Sequence, residues 1–114
     1  MSKFMTLLVE DDEFQREALA DILRDEGLEV IECTTAEAAE LIVATAGTEL
    51  QALIADQNLA GEMSGVALAH YARQRYPDMN IIIMSGTAVP LIPDKAIFLQ
   101  KPFAPAKLLA AVRD

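Results

Sequence analysis

The 114 residues include one cysteine, Cys33, and no tryptophan. With a single thiol no internal disulfide can form, so a reducing cytosolic setting is the simplest expectation. Positive charge is scarce too: 9 Lys and Arg stand against 18 Asp and Glu, a formal net charge of −9 at pH 7. That balance argues against nucleic-acid binding, because phosphate backbones demand clustered Lys and Arg. It equally disfavours docking on an anionic membrane surface. Nowhere does an apolar run reach the roughly 18–20 residues of a transmembrane helix. The run from Phe4 to Val9 is too short for a signal peptide and stops at acids. Yet 53% of the residues are hydrophobic, too many for a disordered acidic tail. The length suits one domain over residues 1–114, able to bury roughly two-thirds of its unfolded surface.

Two kinds of segment alternate along the chain. Apolar runs short enough for strands occur at Met5–Val9, Leu28–Ile31, Ala52–Ala55, Ile81–Met84 and Ala96–Leu99. Helical spacing lies between them. The first helix is expected from about Glu13 to Glu26, with Asp12 and Gln15 as its N-terminal cap and Gly27 as its stop. A Thr34-x-x-Glu37 capping box opens a second, which ends before Gly47. A third runs from near Ser64 to Tyr76, where Pro77 halts it, and a last one covers Pro105 to Arg113. Such alternation predicts a mostly parallel sheet with helices on both faces. One place breaks the pattern: Gly86 to Lys95 carries two prolines and no helical period, so a loop with at most a turn is expected there.

Ligands of a doubly wound sheet bind beyond the carboxyl ends of the strands. Glu10 and Asp11 follow the first strand, Asp56 and Asn58 the third, Ser85 the fourth and Lys101 the fifth. If the first and third strands are neighbours, Glu10, Asp11 and Asp56 share a crevice. Each like-charge pair at about 4 Å would cost on the order of 4 kcal/mol at an effective dielectric of 20, so the cluster must protonate or hold a cation. Hard oxygen ligands suit Mg²⁺, and neither Cys33 nor His70 stands where zinc would need it. With Lys101 on the rim the set fits phosphoryl transfer, with Asp56 as the attacking carboxylate and Lys101 and the Ser85 hydroxyl taking phosphoryl oxygens.

Four segments together carry a family resemblance: Leu7-Leu-Val-Glu-Asp-Asp12, Asp56-Gln-Asn-Leu-Ala-Gly-Glu-Met-Ser-Gly65, Ser85-Gly86 and Phe98-Leu-Gln-Lys-Pro-Phe103. Over nearly its whole length the chain resembles the receiver domain of bacterial two-component response regulators. The resemblance implies a flavodoxin-like α/β fold, a five-stranded parallel sheet in the order 2-1-3-4-5, with the helix between strands four and five short or absent. It implies Asp56 as phospho-acceptor and a Mg²⁺ site of Asp11, Asp56, the Asn58 backbone carbonyl and, through water, Glu10. Ser85 and Lys101 would bind the phosphoryl group, Ser85 and Phe98 would act as the switch, and the Lys101–Pro102 bond would be cis. A sensor histidine kinase or histidine phosphotransfer protein would be the donor, in the cytoplasm, and output would pass by contact with a downstream protein. No turnover enzyme, nucleic-acid partner or membrane insertion is implied. Two departures stand out. Ala60 replaces the usual proline, and Gly65 comes one residue later than in the commonest spacing. The short Gly86–Lys95 segment also puts the ordinary docking and dimerisation surface in doubt.

Plainer readings exist for each residue taken singly. Acids favour a helix N-terminus, Asp56 could be a loop acid, Ser85 a turn residue, Lys101 a surface lysine and Phe98 core. His70 is expected on an exposed or half-exposed helix face without a catalytic part, and Cys33 as a small buried or edge residue. A receiver-like binding module that works without phosphorylation is the alternative function. An aspartate-nucleophile phosphatase lacks its DxD context here, and a flavin carrier lacks its Ser/Thr/Gly-rich phosphate loop. The chain stops at Asp114 without an effector domain, which leaves a free-standing regulator and a piece of a larger protein both open.

Overall fold

The computed structural model describes residues 5–89 and 91–113; Phe4, Pro90 and Asp114 lie outside them. Five parallel strands, β1 (Met5–Val9), β2 (Glu29–Cys33), β3 (Leu50–Asp56), β4 (Asn80–Ser85) and β5 (Ile97–Gln100), form one sheet in the order β2-β1-β3-β4-β5. Four helices connect or follow them: α1 (Glu13–Asp25), α2 (Ala36–Ala46), α3 (Gly65–Arg75) and α4 (Pro105–Arg113), with a 3-10 turn at Gly47–Glu49. This is the flavodoxin-like architecture expected from the sequence. Among the described residues no helix lies between β4 and β5. No described helix is long and apolar enough to cross a membrane.

Strand alternation sorts the core into two layers. Leu7, Val9, Leu53, Ala55, Ile81 and Ile83 face one way and pack with Ala39, Val43, Leu68 and Ala72 of α2 and α3. Leu8, Ala52, Ile54, Ile82, Met84 and Leu99 face the other way, against Ala20 and Leu23 of α1 and Leu108 and Val112 of α4. The apolar runs read as continuous because a parallel sheet is covered on both faces. Pairing Val9 with Ala55 and Ala55 with Ile83 brings the carboxyl ends of β1, β3 and β4 level. Beyond the strand ends the Glu10 N–H donates to the Cys33 carbonyl at 3.0 Å, Gln57 to Met84 at 2.8 Å and Lys101 to Ser85 at 2.8 Å. The residues that leave each strand are thereby still anchored to its neighbour.

Helix ends follow local chemistry, with two corrections. Gly27, at φ 85°, closes α1: its N–H donates to Arg24 and that of Leu28 to Leu23, the paired bonds of a Schellman motif. Ser64 caps α3 through the Ala67 N–H. The expected Thr34-x-x-Glu37 box does not form. β2 runs on to Cys33, so α2 starts later and Thr35 is its cap, accepting from the Ala38 N–H at 3.1 Å. The Asp12 carboxylate does cap α1 by accepting from the Gln15 N–H, but the Gln15 side chain does not return to Asp12.

Gly65 opens α3 where a side chain would not fit: a Cβ there would lie 2.2 Å from the Asp56 carbonyl oxygen. That contact is backbone on backbone and cannot be relieved by a rotamer change. Gly65→Ala is therefore expected to cost about 2–3 kcal/mol of stability, read from the urea midpoint; an unchanged midpoint would show that the loop yields freely.

Candidate functional site

The carboxyl edge of the sheet collects the acids. Glu10, Asp11 and Asp56 each offer one carboxylate oxygen, and the three oxygens lie within 4.8 Å of one another. Glu10 and Asp56 are buried, while Asp11 is exposed at the mouth. Such a set of hard oxygen donors, with no nitrogen or sulfur among them, fits a hard divalent cation with room for water.

Lys101 answers the negative charge from the far side. Its ammonium donates to Asp56 Oδ2 at 2.7 Å, Glu10 Oε1 at 3.0 Å and Gln15 Oε1 at 2.7 Å, which engages all three of its hydrogens. The Lys101–Pro102 bond is cis. Asp56 Oδ1 accepts from the Asn58 N–H at 3.1 Å, which holds the backbone of residue 58 beside the carboxylate. Ser85 is fully buried, and its hydroxyl accepts from the Thr87 N–H at 3.2 Å. Phe98, half-buried on β5, is part of neither apolar layer. His70 is exposed on α3, with Nε2 3.0 Å from the Leu91 carbonyl, and Cys33 is buried at the end of β2.

Of the residues singled out in the sequence, Glu10, Asp11, Asp56 and Lys101 thus meet at one point, with the Asn58 backbone beside them. Ser85 sits at the end of the neighbouring strand, and Phe98 stands apart on the sheet edge. Gln15 was missed as a site residue. Its place in the first turn of α1, directly after the acids at the end of β1, is the signal that could have revealed it. Thr87, whose N–H donates to the Ser85 hydroxyl, was missed too and has no local sequence signal.

Burial pushes the Glu10 carboxyl up to about 7, against the pull of the Lys101 hydrogen bond and helped by neighbouring Asp56. Lys101 is raised as well: partial burial acts against its charge, but Asp56 and Glu10 outweigh that. The Glu10 shift fixes a sign. Between its ordinary value of 4.5 and about 7 the folded carboxyl holds a proton that the unfolded chain has released. Stability of the metal-free protein should fall as pH rises through that window. Urea midpoints measured without divalent cations from about pH 5 to about pH 8 should decline, and Glu10→Gln should flatten the decline. A midpoint rising with pH would contradict this account.

Comparison with known proteins gives the family and the fold. The family model described as the response regulator receiver domain matches residues 6–113. The transcriptional regulatory protein FixJ of Azorhizobium caulinodans is 34% identical over 112 residues, covering 93% of this chain and 52% of FixJ. The crystal structure of a response regulator receiver protein from Sinorhizobium medicae superimposes with a TM-score of 0.87 at 27% identity, covering 96% of this chain and 90% of that one. The receiver domain of the hybrid histidine kinase CckA gives a TM-score of 0.81 at 31% identity, covering 96% and 95%. The chain spans about half the length of FixJ and about a quarter of the other curated relatives it matches. The chain belongs to the receiver domains of response regulators, the signalling modules of two-component systems.

Proposed function

We propose that this chain is a phospho-accepting receiver over residues 1–114, taking a phosphoryl group from a phosphohistidine of a sensor histidine kinase or histidine phosphotransfer protein in the cytoplasm. The observation that carries the reading is the convergence of Asp56 with Asp11, Glu10 and Lys101 at the carboxyl edge of the sheet. Asp11, Asp56 and the Asn58 carbonyl would hold Mg²⁺, with Glu10 acting through water. The ion would supply charge neutralisation between the acids and the incoming phosphoryl group.

The chain's own part is positioning. A carboxylate oxygen of Asp56 attacks phosphorus, a P–O bond forms as the P–N bond to histidine breaks, and the bonding pair returns to the imidazole nitrogen. Asn58 N–H and the Lys101 ammonium fix the direction of the Asp56 carboxylate beforehand. The phosphoryl group adds about −1.5 to −2 charges. Lys101 then trades its present acceptors for phosphoryl oxygens, and the Ser85 hydroxyl, bonded to Thr87 among the described residues, turns toward them. Phe98 would move with Ser85 as the switch, and output would pass to a downstream protein by contact.

The donor needs an approach, and α1 offers one. Phe14 is 84% exposed, and a shallow depression lined by Gln15, Ala18, Leu19, Pro102 and Phe103 opens beside Lys101. An apolar surface at the mouth of the site suits a protein donor that must dock before transfer.

A second reading, a receiver-like module that binds its partner without phosphorylation, is favoured by one observation. The connection between β4 and β5 has no helix among its described residues, so the usual output surface is altered.

Incubation with acetyl phosphate and Mg²⁺ should give a phosphoryl adduct by intact-mass spectrometry, absent in Asp56→Ala. Lys101→Ala should label about a hundredfold more slowly, as expected for loss of one preorganised charge contact. Wild type without any adduct would sink the first reading. A partner that binds wild type and Asp56→Asn equally, with and without beryllofluoride, would establish the second.

A further inference from the structure

A carboxylate of α2, that of Glu37, reaches the loop between β3 and α3. Glu37 Oε2 accepts from the backbone N–H of Glu62 at 3.0 Å and of Met63 at 2.9 Å, across more than twenty positions of sequence. Its other oxygen lies against Gly61, whose φ of 95° disfavours any side chain: an added Cβ would stand 2.7 Å from Oε1 and the carboxylate would have to swing away. Ala60 forms a parallel bridge with Thr35, the residue that caps the same helix. At the other end of the loop the Gln57 side-chain oxygen accepts from the Val66 N–H at 2.8 Å, and the Gly65 N–H reaches the Gln57 carbonyl at 3.2 Å. Between these two anchors sits Asn58, whose N–H is bonded to Asp56. Glu37 is held below the usual carboxylate range by hydrogen bonds from its own N–H and from Met63 and Glu62, so it accepts as an anion at neutral pH.

We infer that Glu37 is a positioning residue for the metal site, fixing through the Glu62 and Met63 amides the loop whose Asn58 carbonyl meets the ion. This rests on the reading of that carbonyl as a Mg²⁺ ligand. Glu37 itself touches neither the ion nor the phosphoryl group. The Glu37 carboxylate meets its own N–H in the first turn of α2, but its two other donors, the Glu62 and Met63 amides, belong to a segment carrying a proposed ligand. Both donors go to the same oxygen, so a side chain that keeps an amide oxygen there and loses the charge can do the same work.

The test is Mg²⁺ titration followed by amide chemical shifts in wild type and three variants. Glu37→Ala should weaken Mg²⁺ binding by about tenfold, the lower range seen when a group supporting a ligand is removed. Hydrogen exchange at the Glu62 and Met63 amides should speed up in the same variant. Glu37→Gln should stay within about threefold of wild type, since it keeps the acceptor. Gly61→Ala, whose Cβ would push the carboxylate away, should behave like Glu37→Ala even where that variant folds poorly. If Glu37→Ala binds Mg²⁺ as wild type does, the inference is overturned. It is overturned as well if Glu37→Gln is as weak as Glu37→Ala, because the effect would then be one of charge at a distance. Wild type that fails to bind Mg²⁺ at all would instead overturn the reading of the metal site, and this inference with it.

Discussion

Everything at the carboxyl edge follows from one electrostatic conflict: carboxylates of Glu10, Asp11 and Asp56 held close enough for one cation to touch all three. At about 4 Å and an effective dielectric of 20, each like-charge pair costs on the order of 4 kcal/mol. The chain relieves this in two ways. Lys101 places its ammonium between Glu10 and Asp56, and Glu10 holds its proton to a higher pH than a free carboxyl would. Asp11 is exposed at the mouth, where solvent screens its charge. The site is therefore balanced for a second cation, because any ion that enters takes over work that Lys101 and a proton now share.

The fold exists, from this viewpoint, to hold that conflict in place. Repelling groups would separate if they were on flexible loops. Here Glu10 and Asp56 are the first residue past β1 and the last of β3, on adjacent strands whose side chains interlock with two apolar layers. Backbone bonds from Glu10 to Cys33, Gln57 to Met84 and Lys101 to Ser85 extend the sheet's order just past its ends. Arg16 adds a further restraint by donating to the Glu10 carbonyl and to the Glu32 carboxylate of β2. Core burial supplies the free energy that keeps the acids together.

What could be read from the sequence was what is encoded locally. Met5–Val9 is a strand to the residue, because it is apolar but for Thr6 and is ended by the acids from Glu10 onward. Asp56 and Lys101 were legible because strand ends are marked by abrupt changes from apolar to charged residues. The capping boxes show where this fails. Both Gln15 and Glu37 occupy positions that a helix alone would use for its own N-terminus, and both were read so. In the folded chain Gln15 turns to Lys101 and Glu37 to the Glu62 and Met63 amides, partners far off in sequence. A local rule loses to a tertiary partner whenever that partner offers a charged group or two aligned donors, and nothing local announces that it will. The segment from 86 to 95 is the converse case: prolines ruled out a helix correctly, yet its anchoring by His70 and Arg73 to the Leu91 and Asp94 carbonyls had no signature.

The two sides of the site are restrained differently, and the difference has a physical consequence. Toward α2, the loop after Asp56 is held by the Glu37 carboxylate, the Thr35–Ala60 bridge and the close approach of Gly65 to the Asp56 carbonyl. Toward α3, the segment after Ser85 lacks a helix among its described residues; side chains of α3, one of them the exposed His70, meet its carbonyls. Exposed side-chain bonds, for which water competes, act on both sides; only the first side adds a backbone approach without free space, at Gly65. Were Asp56 to carry a phosphoryl group, as proposed, the displacement that relieves the added charge would follow the side without that backbone approach. Ser85, buried at the junction of β4 with that segment and bonded onward to Thr87, is where such a movement would enter.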